Sequence, residues 1–248
     1  MRFPKSNPLL ACALALASCA TCATAQTQTR ADLSSGKLKT LKGQIKGRGY
    51  ADFIVKLGAG QSLSAALTSP SRSVYFNVLP PGSNGAALFN SSMTGQNKMA
   101  PRQMPMDGDT IVRVYQMGAA KDENHRAAFT ITLGVSGKSI KAISSKQDAK
   151  LPGTPFHATA PVHCVIDLEP KRKTCDAYVI RRIGGAATVE LRVGSMKRRV
   201  LFQRAGKPIA HDSSTSFTFS RSGDETRIRF GDRPDEEYTI PDVLITGG

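Results

Sequence analysis

Five cysteines carry the richest chemistry in this chain, and their spacing sorts them into two groups. Cys12, Cys19 and Cys22 crowd an apolar start, while Cys164 and Cys175 stand 11 positions apart far downstream. Two thiols so placed in an oxidising compartment join most simply as a disulfide, which at that loop size contributes roughly 2 to 3 kcal/mol by restricting the unfolded chain. The competing chemistry is a metal site built from both thiols with His157 and His163. Neither a CxxC nor an HxxxH pair organises one, so no metal and no cofactor is expected. Three other groupings carry catalytic residue types. Ser136-Gly137-Lys138-Ser139 resembles the end of a phosphate-binding loop, but that motif needs glycine where Thr132 stands. His211-Asp212-Ser213 sets triad types side by side, whereas a triad is assembled from separate segments and neighbours on a strand point to opposite faces. Gly194-Ser195 lacks the following glycine of a nucleophile elbow. No catalytic residue is assigned, and the chain is expected not to be an enzyme; an unrecognised hydrolase is the third functional reading.

The compartment follows from residues 1–25, which read as a signal peptide. MRFPK is a short basic start, LLACALALA an apolar core, and Ala23-Thr24-Ala25 a small-x-small cleavage site before Gln26. Export to a bacterial periplasm or beyond is expected. No later apolar run reaches the roughly 18 residues that cross a bilayer, so the mature chain is expected to be soluble. Leu16-Ala17-Ser18-Cys19 also resembles a lipobox, which would anchor the chain by a lipid at Cys19 and leave Cys22 an unpaired thiol.

The chain carries 34 Lys and Arg against 19 Asp and Glu. The excess is uneven: residues 26–150 hold 17 basic and 7 acidic side chains, residues 151–248 hold 15 and 12. Between the halves runs SGKSIKAISSKQDAKLPGTP, rich in Ser, Lys, Gly and Pro, which reads as a solvated linker over 137–156. Period-two alternation dominates both halves. Phe53, Val55 and Leu57; Leu63, Ala65 and Leu67; Phe129, Ile131, Leu133 and Val135; Val189, Leu191 and Val193; Phe217 and Phe219; and Ile228 and Phe230 each share one side of a half-buried strand. Turn signals such as Gly58-Ala59-Gly60, Pro80-Pro81-Gly82 and Asp107-Gly108-Asp109 separate them. The fold class is therefore all-β, in two small domains: an antiparallel β-sandwich or barrel over 38–136, and a second antiparallel β domain with one disulfide over 157–248. Residues 119–125 alone argue for a short helix or an ordered loop between two strands.

The segments GQIKGRGYADFIVKLGAGQSLSAAL, YFNVLPPGS, MPMDGDTIVRVYQM and AAFTITLGV resemble the periplasmic inhibitors of goose-type lysozyme, small β-sandwich proteins that cap the enzyme's glycan cleft. The resemblance covers about residues 41–136 and is strongest at Ile45 to Gly47, at Gly60 and Gln61, and at Arg113, Val114 and Gln116. It implies contact with an acidic cleft through a tyrosine directly after the IKG turn, a serine in the turn before the RV strand, and two arginines four apart beyond that strand. The matching positions here hold Arg48, Asp107, Gly118 and Asp122. Glycine and aspartate replace neither the donors nor the charge of an arginine fork, and Lys121 and Arg126 nearby offer cations of which the ammonium lacks bidentate geometry. A domain this basic is also steered away from a basic lysozyme surface unless the contact patch is locally complementary. The candidate contact residues are Arg48, Tyr50, Lys121 and Arg126.

The second half looks like a domain that accompanies such modules, and its resemblance carries no functional residues over. Lys171-Arg172-Lys173, Arg181-Arg182 and Lys197-Arg198-Arg199 form a basic stretch, Asp224-Glu225 and Asp235-Glu236-Glu237 an acidic one. These are either a face for lipopolysaccharide, wall polymers or a partner protein, or else solvated edge strands blunted by charge or basic and acidic strands that pair with each other. Nucleic acid fits the charge alone, since aromatics are sparse and no reading motif is present. Tryptophan, the commonest sugar platform, is absent, which leaves Tyr50, Tyr75, Tyr115 and Tyr178. The expected function is an exported non-enzymatic binding protein whose partner is a lysozyme or, alternatively, an anionic envelope polymer.

Overall fold

The computed structural model describes residues 26–83, 85–166, 173–231 and 236–247. The leader with Cys12, Cys19 and Cys22, and the charged residues Lys171, Arg172 and Asp235, lie outside the described residues. No helix among the described residues is long and apolar enough to cross a membrane.

The first half builds strands β1 Gln26–Arg30, β2 Lys39–Lys46, β3 Tyr50–Leu57, β4 Ser62–Thr68, β5 Val74–Leu79, β6 Phe89–Asn90, β7 Lys98–Gln103, β8 Gly108–Gln116 and β9 Arg126–Ser136. Short helices α1 Ser91–Thr94 and α2 Ala119–Asp122 precede β7 and β9. One sheet runs β1-β3-β8-β5-β6 and the other β2-β9-β4-β7. The alternation read from sequence determines how they face each other. Phe53 and Val55 of β3, Val112 and Val114 of β8, Leu63 and Leu67 of β4, and Phe129, Ile131 and Leu133 of β9 fill one core. Phe53 meets Phe129 edge-on across it, with ring centroids 6.0 Å apart. Strand β1 lies before residue 38, pairs parallel with β3 and is exposed throughout, because its sequence QTQTR has nothing to bury.

The second half contributes β10 Ala158–Ile166, β11 Lys173–Arg182, β12 Ala186–Val193, β13 Met196–Phe202, β14 Pro208–His211, β15 Phe217–Ser222, β16 Glu225–Phe230, β17 Glu236–Pro241 and helix α3 Asp242–Thr246. They form one antiparallel sheet in the order β14-β13-β12-β11-β10-β17-β16-β15. It curls into a near-closed barrel around Val189, Leu191, Phe202, Phe230 and Tyr238. The outer strands β14 and β15 meet through side chains: the His211 ring stacks on Phe217 at 4.4 Å, and Phe217 packs on Phe230 at 5.1 Å. The expected disulfide joins Cys164 on β10 to Cys175 on β11, with Cα atoms 5.9 Å apart. The thiols are therefore not metal ligands, and both nitrogens of the buried His157 ring are engaged, Nδ1 accepting from the Arg181 amide and Nε2 bonding the Ile143 carbonyl.

The halves are joined by contacts that the linker reading does not contain. Arg182, fully buried, donates from Nε to Thr188 Oγ1 and from Nη1 to the Ile140 carbonyl, both at 2.8 Å. Its Nη2 lies 2.8 Å from Asp107 Oδ2, an ion pair not aligned as a hydrogen bond. Thr188 in turn donates to the Pro105 carbonyl. One arginine thus ties the second half to the connector and to the β7–β8 turn. Ala59, Leu201 and Ala210 form a small apolar cluster beside it, with Ile140 and Ile209. Within 137–156, Ile140 bonds back to Ala59 and Ala142 bridges to Arg182.

Candidate binding face

Two loops meet at one end of the sandwich. The β2–β3 turn places Gly47 at φ +53, where its amide donates to the His125 carbonyl at 2.9 Å. A Cβ at Gly47 would collide with Asn124 Oδ1 and fall 3.1 Å from Asn124 Cα, so only glycine permits the approach. Across this seam Arg48 donates to Asp122 Oδ1 at 3.1 Å, and Lys121 Nζ stands 3.6 Å from the same oxygen. His125 pairs with Glu123 at 3.1 Å. Arg126 opens β9 directly opposite Lys46 of β2, and both are exposed. Like charges facing each other across strands repel. Lys46, Arg48, Lys121 and Arg126 outnumber Asp122 and Glu123, so this end carries a local positive surplus on a backbone that is already ordered.

The structure separates the sequence-derived candidates. Arg48 and Lys121 come together on Asp122, and Arg126 begins the adjoining strand. Tyr50 instead lies on the outer face of the five-stranded sheet, where the Arg113 guanidinium sits 3.9 Å from its ring centroid. Arg113 is held by a bidentate pair with the buried Asp52 carboxylate, two contacts of 2.8 Å. That pairing keeps the Arg113 guanidinium's pKa above its ordinary value. Asp107 sits at the opposite end of β8 from Gly118, about 30 Å away by strand length. There it accepts from the Ala59 amide at 3.0 Å and faces Arg182. The four positions aligned by resemblance therefore do not form one patch. Sequence reasoning missed the role of Arg182, because a pair of arginines before a glycine turn gives no sign of where its side chains reach.

Among the described residues of the charge runs, the arginines are paired. Arg198 binds Glu236 at 2.8 and 2.5 Å, and Arg199 binds Glu190 at 2.7 Å and Asp212 at 3.1 Å. Arg181 meets Asp148 at 2.9 Å, and Arg227 and Arg229 share Glu237. Burial works against the charge of Glu190, but hydrogen bonds from Arg199 and Arg192 overcome it and hold the carboxyl below its ordinary pKa. Burial beside Glu236 pushes the Tyr238 hydroxyl well above its ordinary value. The His211-Asp212-Ser213 run does not assemble a triad: Asp212 turns to Arg199, His211 stacks on Phe217, and Ser213 Oγ bonds Thr215 Oγ1 at 2.7 Å. Ser139 packs against Gly58. No group of three metal-ligating side chains occurs among the described residues.

His211 gives this junction an acid sensitivity. Burial first, then the Arg102 and Arg198 cations, lower its pKa to about 4, and Arg102 Nη2 approaches Nδ1 at 3.4 Å. The unfolded imidazole titrates near 6.5. Above that pH both states are neutral and nothing changes; below it the unfolded chain takes a proton that the folded chain refuses until about pH 4. Stability should therefore fall on acidification through this window, by about 3 kcal/mol in all. Urea unfolding at neutral and acid pH measures this, and His211→Asn should flatten the dependence.

An all-β protein of two joined modules, with a loop-built cationic end, is the class these features define. Over about 45% of its length the chain is similar to solved periplasmic inhibitors of g-type lysozyme. PliG of Aeromonas hydrophila is 20% identical with a TM-score of 0.41, covering 45% of this chain and 97% of that one. PliG of Salmonella Typhimurium is 16% identical at 0.36, covering 44% and 98%, and a PliG mutant from Escherichia coli is 15% identical at 0.36, covering 45% and 100%. No protein-family model and no curated protein sequence matches this chain.

Proposed function

We propose that the protein is an exported, non-enzymatic binding protein that presents the 46–49 and 118–126 loops to an acidic surface of a macromolecule in the bacterial envelope, a goose-type lysozyme being the first partner to test. The opposed Lys46 and Arg126 beside Arg48 and Lys121 carry this reading. A partner carboxylate between those strands relieves their repulsion on a backbone already held by the Gly47–His125 bond. The sequence resemblance over residues 41–136 supplies the choice of lysozyme. Asp107, engaged by Arg182, has no part in this contact. The anionic-polymer reading loses its main support, since the second half's described arginines named above spend their charge on each other's partners.

The purified protein should slow goose-type lysozyme on bacterial walls near equimolar ratio. Charge reversal by Arg48→Glu together with Lys121→Glu should weaken that effect by at least about tenfold, mostly through faster dissociation and slower encounter. No slowing at large excess removes the lysozyme reading.

A further inference from the structure

Outside the loop end, the outer face of the β1-β3-β8-β5 sheet carries an ordered set of side chains that the proposed contact leaves unused. By register, Tyr50 of β3 lies opposite Tyr115 of β8, which lies opposite Tyr75 of β5. The next row on the same face is Asp52, Arg113 and Asn77. All three tyrosines are half-buried. Tyr115 and Tyr75 have ring centroids 6.4 Å apart and tilted by 39°, an open angle rather than a closed stack. The Tyr115 hydroxyl donates to Asn77 Oδ1 at 3.0 Å, which fixes the Asn77 amide with its Nδ2 hydrogens directed elsewhere. Arg113 and Asp52 cancel each other's charge.

We propose that this face is a binding site for an uncharged glycan. Three phenol rings across three strands span about 10 Å, the reach of a disaccharide. Arg113 covers one face of Tyr50 at 3.9 Å, so Tyr75 and Tyr115 with the remaining surface of Tyr50 accept the C–H side of sugar rings, and the second row offers amide and guanidinium donors to hydroxyl or acetamido oxygens. The neutral Asp52–Arg113 pair selects against an anion as occupant: with its charge already matched at 2.8 Å, the guanidinium has nothing to gain from a second carboxylate. It also keeps Arg113 fixed beside Tyr50, so the platform exists before any ligand arrives. The surrounding domain is basic, so retention by this face differs from charge-driven retention in being indifferent to salt.

The chain has no tryptophan and three of its five tyrosines lie on this face, so a change in tyrosine emission that Tyr75→Phe and Tyr50→Ala alter reports on it. Titration of the full chain with chitotetraose, an uncharged N-acetylglucosamine oligomer, is expected to change that emission saturably and equally at low and high salt. Tyr75→Ala and Tyr50→Ala should each weaken binding roughly tenfold, the scale of one aromatic contact. Tyr75→Phe, which keeps the ring, should bind like the parent, and unchanged thermal midpoints show that each variant folds. Absence of saturation at millimolar oligomer, loss of binding in salt, or full binding by both alanine variants overturns the proposal. Each outcome is independent of lysozyme inhibition, which is read in a different assay through different residues.

Discussion

Replacing Arg182 with leucine is expected to lower stability by about 3 kcal/mol and to split thermal unfolding into two transitions. The side chain is fully buried and meets three different segments: Thr188 of its own sheet, the Ile140 carbonyl of the connector and Asp107 of the first half. Leucine fills part of the volume but leaves the Ile140 carbonyl and Thr188 short of a partner, and each buried group so stranded costs about 1 to 3 kcal/mol. Asp107 matters less. Its side chain is 48% exposed, so water replaces the cation lost in the leucine variant. Differential scanning calorimetry separates the cases. With Arg182 in place the halves should melt together; in the Arg182→Leu variant the barrel and the sandwich should each show their own midpoint. A single transition at the parent midpoint would show that the apolar cluster of Ala59, Leu201 and Ala210 holds the junction alone.

The sandwich was legible where its strands alternate. Phe53 to Leu57 and Phe129 to Leu133 place every second side chain in the core because the backbone period admits no other arrangement. Helix α2 followed from a run of good helix formers at Ala119. Strand β1 gave no signal, since a polar edge strand buries nothing and is held by backbone bonds to β3. Helix α1 was equally silent: its four residues SSMT owe their turn to Asn90, which accepts from the Ser92 and Met93 amides, a cap rather than a propensity. The disulfide was readable from spacing because proximity in sequence brings the two thiols onto one hairpin. The candidate face was readable only in part. Arg48 and Lys121 belong to loops whose meeting depends on a Gly47–His125 bond between segments far apart in the chain. The tyrosine row depends on register between three strands, and Arg182's reach depends on how the two halves dock. No local pattern encodes any of these.

Arg199 shows the same dependence on tertiary pairing and carries the second large expectation. Its side chain lies between Glu190, 4% exposed, and Asp212, 5% exposed, and bonds both. Arg199→Met removes the cation and keeps the apolar stem. Glu190 still has Arg192 at 2.7 Å, but Asp212 keeps as hydrogen-bond donor only the backbone amide of residue 199, with Arg198 and Arg102 acting on it at longer range. A carboxylate left buried without its cation costs about 3 to 5 kcal/mol. The penalty has a pH signature. Burial already raises the Asp212 carboxyl's pKa with Arg199 in place, and losing the cation raises it further, so the variant's deficit is largest above the unfolded carboxylate range and shrinks as pH falls. That runs opposite to the His211 effect, which deepens on acidification, so the informative quantity is the difference between variant and parent at each pH. Urea unfolding at pH near 7 and near 4.5 should show the gap narrowing by about 1 kcal/mol or more. Replacing all three charged residues with apolar ones of similar volume should restore most of the stability, because the cost lies in an unpaired charge and not in the loss of the pair. A gap equal at both pH values would mean that Asp212 does not depend on Arg199 to stay ionised in the folded state.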